Sequence, residues 1–472
     1  MQDDLRPQLM EAYNHSWMKT PNIDRFSETA LVFLRAYVQQ QVCSPSRNSF
    51  MTVSQPLGPL RTTRETEHEC GQGRRPDRTR VWNFIDDFRI KRRANRTSVG
   101  VGEWVASPHP AKGGETDAPG AGAHWTTLPQ YFKANGYQVY GSGKTFHPNR
   151  PMNNDLPLSW TSYDNGQPQR LFRLTNAVRT PSSNQHLLTT GEDLADMRCN
   201  NGKPLFAPTV DTSTGEGSAW KRIIGCEMND PEALLTNATL RYLSTLSPSR
   251  PFFIAMGHHK PHLPWYTPNR FFEQYGDPSQ YPVAKVQEYP ATADKINWHP
   301  WFDQLRISDI EPRRKQQFMR RGYYASVSYY DYHFGQVLDK LEEIGKAAET
   351  VVLATGDHGW HLGERNMWEK KGLDELDCRV PLMIRVPGLQ TASRGQRTSA
   401  FAEHVDIMPT LIEFAGLPPC TEDLSGQTLG PVIRNPPVTG TGVGKAHTFS
   451  QFPRCNCSYV SRHDIATPGG VH

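Results

Sequence analysis

The stretch Val351-Val352-Leu353-Ala354-Thr355-Gly356-Asp357-His358-Gly359 decides the fold. Val351 to Ala354 is a short apolar run of the kind that forms a buried strand. The polar pair that follows lies between glycines, which let the backbone turn sharply and present both side chains at one point. In open α/β sheets, chemistry collects at such C-terminal strand ends. Upstream, Val327, Tyr330, Phe334, Val337, Leu338, Leu341 and Ile344 recur at spacings of three and four. They predict a helix from about Tyr323 to Ile344 with Gly345 as its cap. Phe252 to Met256 is a second apolar strand, running straight into Gly257-His258-His259-Lys260-Pro261-His262. Leu128 to Asn135 reads as a short helix closed by Gly136, and Tyr137 to Tyr140 as a strand. Pro381 to Val386 is a further apolar stretch, and Ile407 to Ala415 reads as a helix. This alternation predicts an α/β fold with a large, mostly parallel central sheet flanked by helices.

Composition narrows the function. The 472 residues are 36% apolar, 21% charged and 10% aromatic, which supports a packed core and excludes wholesale disorder or a fibrous repeat. With 52 basic against 48 acidic residues, the charge is too even for a nucleic-acid-binding protein but tolerates an anionic substrate. No apolar run reaches the roughly 18 residues of a membrane span. The first residues lack an apolar h-region, so no signal peptide is expected. Among the eight cysteines, Cys199 and Cys226 share one region and Cys420, Cys455 and Cys457 another. Either group could hold a bridge, and spacing leaves the pairing open. Sequons at Asn14, Asn95, Asn237 and Asn456 carry weight only in a secretory chain.

Three clusters carry the chemistry. Asp3-Asp4 is a pair of adjacent carboxylates that repel unless a cation lies between them. Asp357-His358 closes a buried strand. In Cys43-Ser44-Pro45-Ser46-Arg47 the proline starts a helix, placing Cys43 where backbone N–H groups favour an anion. Singly these read as a solvated turn, a polar turn and a buried cysteine. Together they resemble the sulfatase family, whose signature cysteine is oxidised to Cα-formylglycine. Gly143-Lys144-Thr145-Phe146-His147-Pro148, the 257–262 block and Asp357-His358-Gly359-Trp360 follow in the family's order. Pro21-Asn22-Ile23-Asp24, the 125–132 block Trp-Thr-Thr-Leu-Pro-Gln-Tyr-Phe and Val405-Asp406-Ile407-Met408-Pro409-Thr410 bring the likeness closest to the iduronate 2-sulfatase branch. It spans most of residues 2–454.

The resemblance implies an alkaline-phosphatase-like fold, with a catalytic domain over 1–415 and an incomplete antiparallel C-terminal subdomain over 416–472. It implies hydrolysis of sulfate monoesters, specifically the 2-O-sulfate of terminal iduronate in heparan or dermatan sulfate fragments. The nucleophile would be a formylglycine hydrate at Cys43, beside a calcium ion held by Asp3, Asp4, Asp357, His358 and the modified Cys43 side chain. A thiol or serine lacks the hydrate's second hydroxyl, which later expels sulfate. Arg47 would orient the hydrate and Asp357 take its proton. Lys144 and Lys370 would bind sulfate oxygens, with Lys371 the competitor for the second role. His259 would be the general acid, with His258 and His262 competing, and His147 the base. Trp360, Lys370 and His259 would line the sugar pocket. The implied partners are a sulfated glycosaminoglycan oligosaccharide and the formylglycine-generating enzyme, and the implied location is lysosomal or secreted. Two readings compete: an inactive homologue whose site is encoded but not built, and a phosphoester hydrolase of the same superfamily. The latter would use Ser or Thr with two transition metals, so Cys43-x-Pro-x-Arg47 opposes it.

The sequence also departs from that pattern. Only Met1 and Gln2 precede Asp3, so the two carboxylates are expected to hang from a loose terminus. Residues 53–72 separate Thr52 from Gly73-Arg74-Arg75-Pro76-Asp77 and show neither helix nor strand period. That segment and much of residues 90–120 read as insertions foreign to the fold, of the kind translated intron sequence would give, and are expected to be disordered.

Overall fold

The computed structural model describes residues 1–52, 125–148, 151–164, 199, 201–286, 313–389, 393–420, 424–437 and 443–452. Both anomalous segments, residues 73–77, Asn95, and Cys455 to Cys457 lie outside them. In chain order the elements that matter are β1 (Leu31–Tyr37), α1 (Cys43–Thr52), α2 (Leu128–Ala134), β2 (Gln138–Gly143), β3 (Ser162–Asp164) and β4 (Trp220–Ile223). Then come α3 (Pro231–Ser244), β5 (Phe252–Gly257), β6 (Trp265–Pro268), α4 (Arg313–Glu343) and β7 (Val352–Thr355). The last are β8 (His361–Leu362), β9 (Trp368–Glu369), β10 (Arg379–Arg385), β11 (Arg397–Glu403) and α5 (Ile407–Phe414).

The main strands form two sheets, ordered β11-β1-β10-β7 and β3-β2-β5. Single parallel bridges from Gln2 to His258 and to Gly356 stitch the end of β5 to the end of β7. Through this seam every strand of the combined sheet runs parallel except β10, which is antiparallel to both of its neighbours. The expected mostly parallel sheet is therefore present. Its faces bury alternate residues, as the pleat requires. Val32 and Met383 join the aromatic-rich core under α4, with Tyr323, Tyr330 and Trp265. Leu31, Phe33, Leu382 and Ile384 join the core under α2 and α5, with Phe132 and Met408.

The seam corrects one expectation. Asp3 and Asp4 do not hang loose: both are fully buried. The Met1 amino group donates to the Met256 carbonyl (2.9 Å). Gln2 N–H donates to Thr355, and His258 and Asp357 N–H donate back to Met1 and Gln2. Short as it is, this segment is held on both sides by strand-type hydrogen bonds. A cavity of about 870 Å³ lies behind it, between Phe252–Met256 and Val351–Thr355.

Local chemistry explains the other elements. Thr127 and Gln130 form a reciprocal capping box at the start of α2, and Gly136 takes the left-handed conformation that ends it. At the ends of β2 and β5, Gly143 faces Gly257, and a Cβ on either would collide with the backbone opposite. Helix α4 begins ten residues before the expected start at Tyr323, because its first three turns bury polar groups instead. Gln317 donates to the Ser279 and Tyr281 carbonyls, and Arg320 to the Leu362 carbonyl and to Glu364. Of the open cysteine pairings, Cys199–Cys226 is formed.

Candidate active site

The loops that follow β1, β2, β5 and β7 converge on one point. The turn after β1 delivers Cys43 as the first residue of α1, a helix whose every residue is buried. The loop after β2 brings Lys144, the loop after β5 brings His258 to His262, and the loop after β7 brings Asp357 and His358. The β8–β9 ribbon, paired through His361 and Glu369, presents Lys370. Asp3 and Asp4 arrive from the seam.

Cys43 Sγ is the centre. It lies 3.2 Å from Asp3 Oδ1, 3.3 Å from His358 Nε2, 3.0 Å from Lys370 Nζ and 3.6 Å from Lys144 Nζ. Lys370 also donates to Asp4 Oδ1 (2.8 Å), and Lys144 pairs with Asp3. Arg47, one helical turn after Cys43, donates from Nε to Asp357 Oδ2 (2.9 Å) and holds Nη2 3.5 Å from Asp3. Asp357 Oδ1 in turn accepts the Asp4 and His358 N–H groups. Donor atoms of Asp3, Cys43, Asp357 and His358 lie within 4.8 Å of one another, as do those of Asp3, Asp4, Cys43 and His262.

The charges explain how such a cage stays folded. Burial and Asp3 push the Cys43 thiol up, but Lys144, Lys370 and His358 together bring it down to about 5. Burial also lifts Asp3, yet Lys144, His262 and Arg47 outweigh it and hold that carboxyl well below its usual range. Asp357 is raised to about 6 by burial and by Asp3. Burial disfavours the His358 imidazolium, but the Asp357 carboxylate holds it at about 9. Backbone strain concentrates here as well. Asp4, Glu369 and Lys371 all have positive φ, at 63°, 69° and 85°, a conformation that costs side-chain-bearing residues about 1 kcal/mol or more. Asp4 and the two neighbours of Lys370 are thus held in place by the surrounding fold.

The structure brings Asp3, Asp4, Cys43, Arg47, Lys144, Asp357, His358 and Lys370 together. Lys371 is buried beside Lys370, but it is Lys370 that reaches Cys43. His259 lies close enough to Lys144, Asp3 and His262 for their charges to act on it. His147 sits three residues beyond Lys144, half-buried, with Nδ1 3.2 Å from the Pro148 carbonyl. Trp360 is not on an open face: it is 1% exposed and lies beneath Lys370, whose Nζ is 5.5 Å from its ring. Its surroundings make it the floor of the site. Two residues went unassigned in the sequence. His262, considered only as an alternative acid, points Nε2 at Asp4 Oδ2 (3.9 Å). His404 touches Thr355 Oγ1 (3.0 Å) and Ser46 Oγ (3.4 Å) behind the cage. No local pattern marks His404, because its partners lie about 50 and 360 residues away in sequence.

Comparison with known proteins agrees with this geometry. The sulfatase family model matches residues 94–417. Iduronate 2-sulfatase of Mus musculus is 29% identical over 455 residues, spanning 88% of this chain and 68% of that protein. The Homo sapiens protein of the same name is 28% identical, with the same coverage. Among solved structures, a phosphonate monoester hydrolase of Agrobacterium radiobacter shares the fold (TM-score 0.61, 19% identity, covering 92% of this chain and 76% of that one). So does a protein solved with its substrate D-glucosamine-2-N,6-O-disulfate (TM-score 0.59, 17% identity, covering 96% and 83%). The chain belongs to the sulfatase family and is a sulfuric ester hydrolase.

Proposed function

We propose that the site hydrolyses the 2-O-sulfate of terminal iduronate in heparan or dermatan sulfate fragments, using Cys43 in its formylglycine form and a calcium ion. The observation that carries the catalytic part is the convergence of three carboxylates and three cationic side chains on Cys43 Sγ. The substrate part rests on the likeness to the two mammalian iduronate 2-sulfatases.

The residues suit a hard cation. Asp3, Asp4 and Asp357 supply oxygens, and Asp4 Oδ2 is a buried oxygen with no hydrogen-bond partner among the described residues. Asp3, Asp4, Asp357 and His358 would hold the ion next to position 43. Bound there, calcium would polarise the sulfate oxygens while the formylglycine hydrate offers its hydroxyl to sulfur. Lys144 and Lys370 flank Cys43 and are placed to hold sulfate oxygens as fixed cations. Arg47 pairs with Asp357 and holds it beside position 43, where Asp357 can accept a proton. His259 is the proposed donor to the leaving alcohol and His147 the proposed base. The Cys199–Cys226 bridge supports maturation in an oxidising compartment. That suits a lysosomal or secreted enzyme whose Cys43 is converted by the formylglycine-generating enzyme. No described helix is long and apolar enough to cross a membrane.

Sulfate release from 4-methylumbelliferyl iduronide 2-sulfate tests the substrate. The expected result is turnover that a chelator abolishes and calcium restores. Calcium at about 100 times its Kd should also stabilise the fold by about 2.7 kcal/mol. Faster cleavage of the corresponding phosphate ester would overturn the sulfatase reading. Equal rates on a sulfated sugar lacking the uronate would overturn only the iduronate assignment.

A further inference from the structure

Glu232 is a carboxylate in an unusual place. It lies in the first turn of α3, after the N-cap Asp230, whose side chain accepts its N–H (2.9 Å). An acidic side chain there normally faces solvent and complements the helix dipole. Glu232 instead is 2% exposed and turns inward to the loop after β5. One oxygen, Oε2, lies 2.5 Å from His258 Nδ1. The other accepts the His259 backbone N–H (3.0 Å) and faces His259 Nδ1 across 3.8 Å. A buried carboxylate is costly unless fully partnered, and these contacts, with the charge of the buried Lys260, partner it. Behind it, Tyr329 of α4 anchors Asp230 (3.1 Å), and His258 packs against Tyr330 and His333 with ring centroids 5.3 and 5.8 Å away. The carboxylate therefore ties the turn that carries His259 to two helices.

We propose that Glu232 is a positioning residue for His259: it fixes the backbone of the turn through the His259 N–H and sets its charge 3.8 Å from the His259 ring. This rests on the reading of His259 as proton donor. A carboxylate held beside a working histidine orients it and favours its charged form. Burial pushes His259 down to about 4, with Glu232 the main opposing influence. Removing that charge makes the imidazolium harder to form as well as misplaced. His258, pushed down to about 3 mainly by burial, is neutral and serves as a wall of the turn, not as a second acid.

The distinguishing property of a proton donor is sensitivity to the leaving group. A sugar alkoxide needs protonation, whereas 4-nitrophenolate departs without it. Glu232→Gln keeps the shape of the side chain. Its kcat/KM is expected to fall about 10–100-fold on the 2-sulfated iduronide, mainly in kcat, and by much less on 4-nitrophenyl sulfate. His259→Ala should show the same asymmetry, and the double variant should be no worse than His259→Ala alone. Should Glu232→Gln fail to fold, Glu232→Asp, which keeps the charge but shortens the reach, is expected to show a smaller version of the same asymmetry. Equal losses on both substrates in a folded variant, or additive losses in the double variant, would overturn the proposal while leaving the proposed function standing. A wild-type enzyme that cleaves neither sulfate would instead defeat that function, and this proposal with it.

Discussion

Cys43→Ala is expected to lower sulfate-ester hydrolysis on the order of 10⁴-fold or more, while the protein still melts cooperatively. Losses of this size follow when the nucleophile of a tightly coupled site is removed. The surrounding groups explain why nothing substitutes for it. Lys144, Lys370 and Arg47 are already paired with Asp3, Asp4 and Asp357, and the two neighbouring imidazoles face carboxylates. Among the described residues, no other side chain presents a nucleophile at the centre of the cage. Cys43→Ser should be equally poor in steady state, because a single hydroxyl has no partner to expel sulfate. Initial-rate assays on the 2-sulfated iduronide check this. Retention of activity within tenfold would move the nucleophile elsewhere.

Arg47→Met is expected to cost stability as well as activity, by about 3–5 kcal/mol, because it strands two buried carboxylates. Arg47 and Asp357 are both fully buried, as is Asp3, so water cannot take over the pairing. The guanidinium does three things at once: it pairs with Asp357, approaches Asp3 and donates to the Lys144 and Thr145 carbonyls. A lysine has one point charge and cannot span that fork, so Arg47→Lys should recover little. Urea unfolding beside Cys43→Ala as reference separates the two effects. A midpoint unchanged from the reference would mean that Arg47 is not what holds the cage together.

The parts of the fold that were legible in sequence are those that bury apolar surface. β5 and β7 appear within a residue or two of their expected ends, and α5 within one, because short apolar runs and a 3.6-residue stripe are direct records of burial. The start of α4 was invisible because Gln317 and Arg320 are buried through hydrogen bonds, which periodicity does not record. The site was legible where a strand end runs into its polar residues, as at Asp357-His358. It was misread where neighbours distant in sequence decide the outcome. Asp3 and Asp4 are fixed by contacts to residues about 250 and 350 positions away. Trp360 is enclosed by the core under α4. Glu232 faces a loop that comes 26 residues later, and nothing around it in the chain announces that.

Peptide mass spectrometry across position 43, on enzyme matured in a secretory pathway and showing turnover, bears on all of this most directly. The account predicts a formylglycyl residue there, in proportion to specific activity. An active preparation in which residue 43 is wholly an unmodified cysteine would contradict it.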